Sequence, residues 1–126
     1  MSDELILIVD DNEKNVKLAR DVLRFAGFRT LEAGTASEGL SLAAEHLPDL
    51  VLMDIRLPDV DGTVALQRLR ADERTAGIPV VALTSFAMKG DRERFIAAGF
   101  DGYLEKPITV REFPDQVRSH LTRAER

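Results

Sequence analysis

Leu50-Val51-Leu52-Met53-Asp54 is an unbroken apolar run that stops on a carboxylate. A run of this kind fits a strand buried on both faces, the situation found where helices cover both sides of a parallel sheet. Three further runs end on polar groups in the same way. Ile6 to Val9 leads into Asp10 and Asp11, Val80 to Leu83 into Thr84 and Ser85, and Tyr103 and Leu104 into Glu105, Lys106 and Pro107. In an open parallel sheet the strand C-termini line one edge, and ligands bind in the crevice beyond it. Three carboxylates, a hydroxyl and an ammonium are therefore expected to converge. Carboxylates so crowded repel one another, and a divalent cation is the usual way such a cluster is stabilised.

Working outward, the strands read as Leu5 to Asp10, Arg29 to Ala33, Leu50 to Asp54, Pro79 to Leu83 and Gly102 to Glu105. Between them lie stretches with apolar residues at helical period. Val16, Ala19, Val22, Leu23 and Ala26 form the first stripe, and Leu40, Leu42, Ala43 and Ala44 the second. Val64, Leu66 and Leu69 mark a third, Phe95, Ile96 and Ala98 a fourth, and Val117 and Leu121 a fifth. Thr35-Ala36-Ser37-Glu38 and Thr109-Val110-Arg111-Glu112 each fit a capping box. Ala26-Gly27-Phe28 and Ala98-Gly99-Phe100 repeat a helix stop, glycine taking the left-handed position and phenylalanine packing back. Pro114 leaves two choices for the last helix: a start near Phe113 with proline in the first turn, or a start at Val110 with a bend. The alternation predicts an α/β domain, a flavodoxin-like, doubly wound five-stranded parallel sheet of order 2-1-3-4-5 with five helices.

A length of 126 residues suits one domain, here 1–126 with a core from about 5 to 121. Net charge of −5 argues against direct nucleic-acid binding, which basic residues drive. Cysteine is absent, which excludes disulfides and thiolate metal sites. The acidic start Met1-Ser2-Asp3-Glu4 is unlike a signal peptide, and no apolar run approaches a membrane span, so a cytoplasmic location is expected. Met1 and the charged tail Thr122 to Arg126 favour a complete chain. His46 and His120 are isolated and read as surface residues.

At the strand ends, Asp54 is the candidate nucleophile, since a carboxylate can accept a phosphoryl group as an acyl phosphate. Most catalysis of such a transfer is positioning and charge neutralisation. Asp10 and Asp11 would hold a magnesium ion with Asp54, some contacts running through water. Lys106 would pair with phosphoryl oxygens, Thr84 would offer its hydroxyl, and Ser85 its backbone amide. Taken singly, each has a plainer reading. The Asp10-Asp11 pair could be a loop start or helix cap, Asp54 a turn residue, Thr84-Ser85 a helix cap, and Lys106 a surface lysine. Their joint occurrence at the ends of different strands carries the case.

Val9-Asp10-Asp11, Leu52-Met53-Asp54-Ile55-Arg56-Leu57-Pro58, Asp61-Gly62, Leu83-Thr84-Ser85 and Tyr103-Leu104-Glu105-Lys106-Pro107 together resemble the receiver domain of two-component response regulators, the CheY-like family. The resemblance spans Leu5 to about Leu121. It implies that Asp54 accepts a phosphoryl group from a phosphohistidine on a histidine kinase or histidine phosphotransfer protein. It also implies magnesium held by Asp11, Asp54 and the backbone carbonyl of Arg56, with Asp10 helping through water, and a cis bond between Lys106 and Pro107. Thr84 and Tyr103 would form the switch, Thr84 moving inward and the aromatic turning from exposed to buried. The altered face would be the fourth helix, fifth strand and fifth helix, roughly Ala87 to Ala98, Gly102 to Glu105 and Val110 to Leu121. A downstream protein target would dock there, with no nucleic acid or membrane involved.

Phe86-Ala87-Met88-Lys89-Gly90-Asp91-Arg92 is most similar to single-domain regulators of the DivK type and to receivers of hybrid kinases. Arg56 and Phe86 sit where the family tunes the lifetime of the phosphorylated state, and Asn15, Leu18 and Asp21 where it chooses the kinase. The expected protein is a signalling module rather than an enzyme, catalysing only its own phosphorylation and dephosphorylation. Rival readings are a flavin or nucleotide binder, a magnesium-dependent phosphatase with an aspartyl nucleophile, and a degenerate receiver acting as a scaffold. No glycine-rich phosphate loop follows the first strand, and Asp10-Asp11-Asn12-Glu13 would repel a phosphate without a metal.

Overall fold

The apolar runs pair into one parallel sheet of five strands: β1 (Leu5–Val9), β2 (Arg29–Ala33), β3 (Leu50–Asp54), β4 (Val80–Thr84) and β5 (Gly102–Glu105), in the order β2-β1-β3-β4-β5. The computed structural model describes residues 4–85 and 90–124. Helices α1 (Glu13–Phe25), α2 (Ala36–His46), α3 (Gly62–Ala71), α4 (Asp91–Ala98) and α5 (Phe113–Ala124) connect and follow the strands.

Side chains alternate across a strand, so each central strand feeds two cores. Leu7, Val9, Val51, Met53, Val80 and Ala82 pack with residues of α2, α3 and α4, including Ala43, Leu66, Leu69 and Phe95. Ile6, Ile8, Leu50, Leu52, Val81 and Leu83 pack on the other face with Ala19 and Leu23 of α1 and Phe113, Val117 and Leu121 of α5. Burial on both faces is why β1, β3 and β4 read as continuous apolar runs. The chain leaves β1 for β2 on one side and returns to β3 on the other. That reversal opens a crevice beyond the C-termini of β1 and β3, where Asp10 and Asp54 stand. Register aligns the edge: Val9 lies opposite Met53, Asp54 opposite Leu83 and Thr84 opposite Glu105.

The helix ends follow their punctuation with two differences. Gly27 and Gly99 are left-handed, at φ 101° and 113°, and the amides of Phe28 and Phe100 return to the carbonyls of Leu23 and Phe95. Thr35 caps α2 by accepting from the Glu38 amide, while the Glu38 carboxylate accepts from the Gly34 amide rather than from Thr35. Thr109 caps no helix. Its carbonyl accepts from Glu112 and Phe113 in a turn, and α5 begins at Phe113 with Pro114 in its first turn. Proline needs no intrahelical amide partner there, so the first of the two choices holds and the Val110 start does not.

Three apolar residues assigned to buried stripes face outward: Val64, Ile96 and Ala98 are exposed. Small residues do the packing instead, Gly62 and Ala65 beside Leu66 and Leu69 on α3. The last histidine also differs from expectation. His120 is half-buried over Gly102, where a Cβ would collide with its ring. Its place in the apolar register of α5, next to Leu121, turns it toward the sheet edge. His46 is exposed, as expected. The stretch Phe86 to Lys89, with the lifetime position Phe86 and the start proposed at Ala87, lies outside the described residues, as do Met1 to Asp3 and the tail's end.

One helix end is strained. Leu47 ends α2 at φ 49° and is 54% exposed, so it holds a left-handed backbone with little burial in return. Leu47→Gly should raise unfolding free energy by about 0.5–1 kcal/mol, the relief of that backbone less the entropy of glycine. Chemical denaturation measures it; a loss of stability would mean that packing of Leu47 outweighs its backbone.

Candidate functional site

Each polar group sits one step beyond, or at the end of, a strand that the core holds rigid. Asp10 follows β1, Asp54 ends β3, Thr84 ends β4 and Lys106 follows β5. Asp10 is 2% exposed, Asp54 7% and Thr84 5%, whereas Asp11 is exposed. One carboxylate oxygen from each of Asp10, Asp11 and Asp54 lies within 4.8 Å of the others, a spacing that a single cation can bridge. Asp11, Asp54, Arg56, Thr84, Ser85 and Lys106 line one cleft of about 220 Å³, together with Asn12 and Asn15 of the first connection. Tyr103 lies apart, on a neighbouring hollow with Gly90, Lys106 and Pro107.

Lys106 bridges the acids. Its Nζ stands 2.7 Å from Asp10 Oδ2 and 3.0 Å from Asp54 Oδ2, all three side chains nearly buried. The Lys106-Pro107 peptide is cis. Asp10 Oδ1 accepts from the Asn12 amide at 2.9 Å, and Asn12 in turn caps α1 by accepting from Lys14 and Asn15. Asp54 Oδ1 accepts from the Arg56 amide at 3.1 Å.

These surroundings set the acid-base character. Burial raises the Asp54 carboxyl above its ordinary value, and the Asp10 charge adds to the rise. The Lys106 and Arg56 hydrogen bonds pull back without cancelling it. For Lys106, burial favours the neutral amine, but hydrogen bonds and attraction from both carboxylates outweigh that and raise its pKa. The two directions are compatible because one ammonium serves two acids: it gains from both, while each acid shares it. Tyr103 is half-buried and stacks on Phe95 with ring centroids 5.8 Å apart. Burial, then the Glu105 and Asp91 charges, raises its hydroxyl pKa.

A residue whose role the motif alone does not reveal makes the site possible. A Cβ on Gly62 would lie 2.5 Å from the Asp54 carbonyl oxygen and 2.9 Å from Ile55 Cα, both backbone atoms that cannot step aside cheaply. Glycine lets α3 start directly against the end of β3, and its amide donates to Ile55 O at 2.7 Å. Gly62→Ala should cost about 1–3 kcal/mol by overpacking, read by denaturant unfolding. An unchanged midpoint would contradict this account.

The site is thus an acid triad at the switch point of a doubly wound sheet, with a lysine reaching across it. The chain belongs to the response regulator receiver domain family, which it matches over residues 6–118. It is 47% identical over 116 residues to the polar-differentiation response regulator DivK of Brucella ovis, covering 92% of this chain and 94% of that one. A CheY-like receiver domain protein from Methanospirillum hungatei superposes with a TM-score of 0.87 at 31% identity, covering 98% of each chain. The receiver domain of a sensor histidine kinase from Pseudomonas aeruginosa, solved with a magnesium ion coordinated in its active-site cleft, gives 0.86 at 33% identity, covering 96% of this chain and 99% of that one. The acidic pocket here fits the same ion by donor type and spacing. Among the described residues no helix is long and apolar enough to cross a membrane.

Proposed function

We propose that residues 1–126 act as one receiver domain, a single-domain response regulator in a cytoplasmic phosphorelay. Asp54 accepts a phosphoryl group from a phosphohistidine on a histidine kinase or histidine phosphotransfer protein. An O–P bond forms at the carboxylate as the N–P bond breaks, and the imidazole departs with the bonding pair. Asp11 and Asp54, the backbone carbonyl of Arg56 and, through water, Asp10 are the residues that would hold magnesium. Bound there, the ion supplies positive charge for the phosphoryl oxygens. Lys106 adds a second positive charge from the opposite side, and the Thr84 hydroxyl and Ser85 amide are the donors for the oxygens that remain. The observation that carries this reading is the Lys106 ammonium held between Asp10 and Asp54, lining the same cleft as Thr84.

A phosphoryl group adds about −1.5 to −2 of charge, which draws Thr84 and Lys106 toward it. Thr84 follows the sheet inward and Tyr103, already stacked on Phe95, goes with it. The output is a change in the α4–β5–α5 face, where a downstream protein docks. Exposed Ile96 and Val110 supply apolar anchors in that part of the chain. This makes the protein a signalling module whose only chemistry is its own phosphorylation and dephosphorylation.

Incubation with acetyl phosphate and magnesium, followed by intact mass measurement, tests the reading. One phosphoryl group should be gained, and a chelator should prevent it. Uptake that ignores the chelator, or no uptake in the presence of metal, would contradict it.

A further inference from the structure

The connection from β3 to α3 is tied at its neck, where the Gly62 amide donates to Ile55 O and Arg56 pairs antiparallel with Asp61. Its tip is tied elsewhere. Asp59 reaches to the first turn of α2, its two carboxylate oxygens accepting from the amides of Ala36 at 2.8 Å and Ser37 at 2.9 Å. The start of a helix leaves such amides without an intrahelical partner. Thr35 serves the third, that of Glu38, so the N-terminus of α2 is completed by a residue more than 20 positions further along the chain. The two amide bonds hold the Asp59 carboxyl below its ordinary pKa, so the group is ionised at neutral pH.

The anchor matters because α2 is itself seated on β1. A Cβ on Gly39 would lie 2.8 Å from Val9 Cγ2, one residue before Asp10. The Asp59 bond therefore links the half of the site that carries Asp10 and Asp11 to the half that carries Asp54. Arg56 is the neck residue on the β3 side, and its amide donates to Asp54 Oδ1.

We infer that Asp59 is a positioning residue for the phosphoacceptor centre, its bond to the α2 amides fixing the peptide of Arg56 against Asp54 and toward the cation position. The inference deepens the proposed function and rests on it for the role of the cation. Nothing in the step requires Asp59 to touch the phosphoryl group or the metal.

Three variants test it: Asp59→Ala, Asp59→Asn and, as a control that weakens the same helix start without freeing the loop, Thr35→Ala. Magnesium affinity by calorimetry and amide hydrogen exchange at Arg56 in metal-free protein are read beside thermal stability. Asp59→Ala should bind magnesium about tenfold more weakly, as outer partners of metal ligands do when removed. Its Arg56 amide should exchange faster. Asp59→Asn, which keeps one acceptor oxygen, should fall between. Thr35→Ala should lose thermal stability and keep both other properties. If Asp59→Ala only lowers stability, with affinity and Arg56 exchange as in Thr35→Ala, Asp59 is a helix cap and the inference fails. Should the wild type bind no magnesium, the cation reading fails by itself, and Arg56 exchange still decides whether Asp59 holds the loop.

Discussion

Lys106→Met should destabilise the metal-free protein by about 3–5 kcal/mol at neutral pH, the cost of leaving buried charges without their partner. That is a large fraction of the roughly 5–15 kcal/mol that holds a domain of this kind together. The side chain of Asp10 is 1% exposed and that of Asp54 10%, so water replaces only part of the stabilisation given by the ammonium that now sits 2.7 Å and 3.0 Å from them. The raised Lys106 pKa contributes stability that is fully present below the ordinary lysine value of 10.5 and is lost only as pH climbs through the higher folded value. At neutral pH the wild type therefore has all of it. Urea unfolding of both proteins reads the difference. Two further conditions should shrink the gap: mild acid, which protonates Asp54 more readily than an ordinary carboxyl because burial has raised its pKa, and added magnesium, which restores positive charge among the acids. A variant within about 0.5 kcal/mol of wild type, the range of an ordinary surface substitution, would show that the pocket is wetter than its geometry implies.

Asp54→Asn should act in the opposite direction on stability while abolishing function. No phosphoryl group should be gained from acetyl phosphate and magnesium, because a neutral amide is no nucleophile for phosphorus. The same variant should be more stable than wild type in metal-free buffer at neutral pH. The sign follows from the raised Asp54 pKa. Folding disfavours the ionised carboxylate, so the native state holds a proton more tightly than the unfolded chain, and stability falls as pH rises from the ordinary value of 3.8 through the folded one. Above that window the ionised group is a net cost, and asparagine removes it. Lys106 keeps its partner in Asp10, so the change leaves no buried cation alone. Labelling of Asp54→Asn at the wild-type level would overturn the assignment of the acceptor, and a lower unfolding midpoint would overturn the electrostatic account of the pocket.

The strand ends were legible because β1, β3 and β4 are buried on both faces and leave runs with no polar interruption. The first polar residue after each run therefore marks the sheet edge, whatever its distance along the chain. The Gly27 and Gly99 stops were legible because only glycine takes those backbone angles without strain. The cis Lys106-Pro107 bond followed from family resemblance and not from any local signal.

Asp59 was invisible for a physical reason: it caps a helix whose first turn precedes it by more than 20 residues, and no local pattern encodes a cap supplied from elsewhere. Arg70 is similar. Its guanidinium donates to the carbonyls of Ala76, Ile78 and Gly99 and to Asp101, tying the α3–β4 and α4–β5 connections together at the opposite edge of the sheet, and nothing about its neighbours in sequence announces that. The stripes failed at Val64 and Ile96 because hydrophobic period weights large residues. The faces that approach the sheet use Gly62 and Ala65 on α3, and on α4 Phe95 beside the buried carboxylate of Asp91. Gly62 stood in the motif, but the reason for it appears only when the Asp54 carbonyl is found where its Cβ would be.

The most direct measurement is the location of the phosphoryl group. Protein treated with acetyl phosphate and magnesium is digested under conditions that preserve acyl phosphates, and the modified peptide is sequenced by fragmentation. The phosphoryl group should lie on Asp54 alone. Its appearance on Asp10, Asp11 or Thr84, with Asp54 unmodified, would contradict the account.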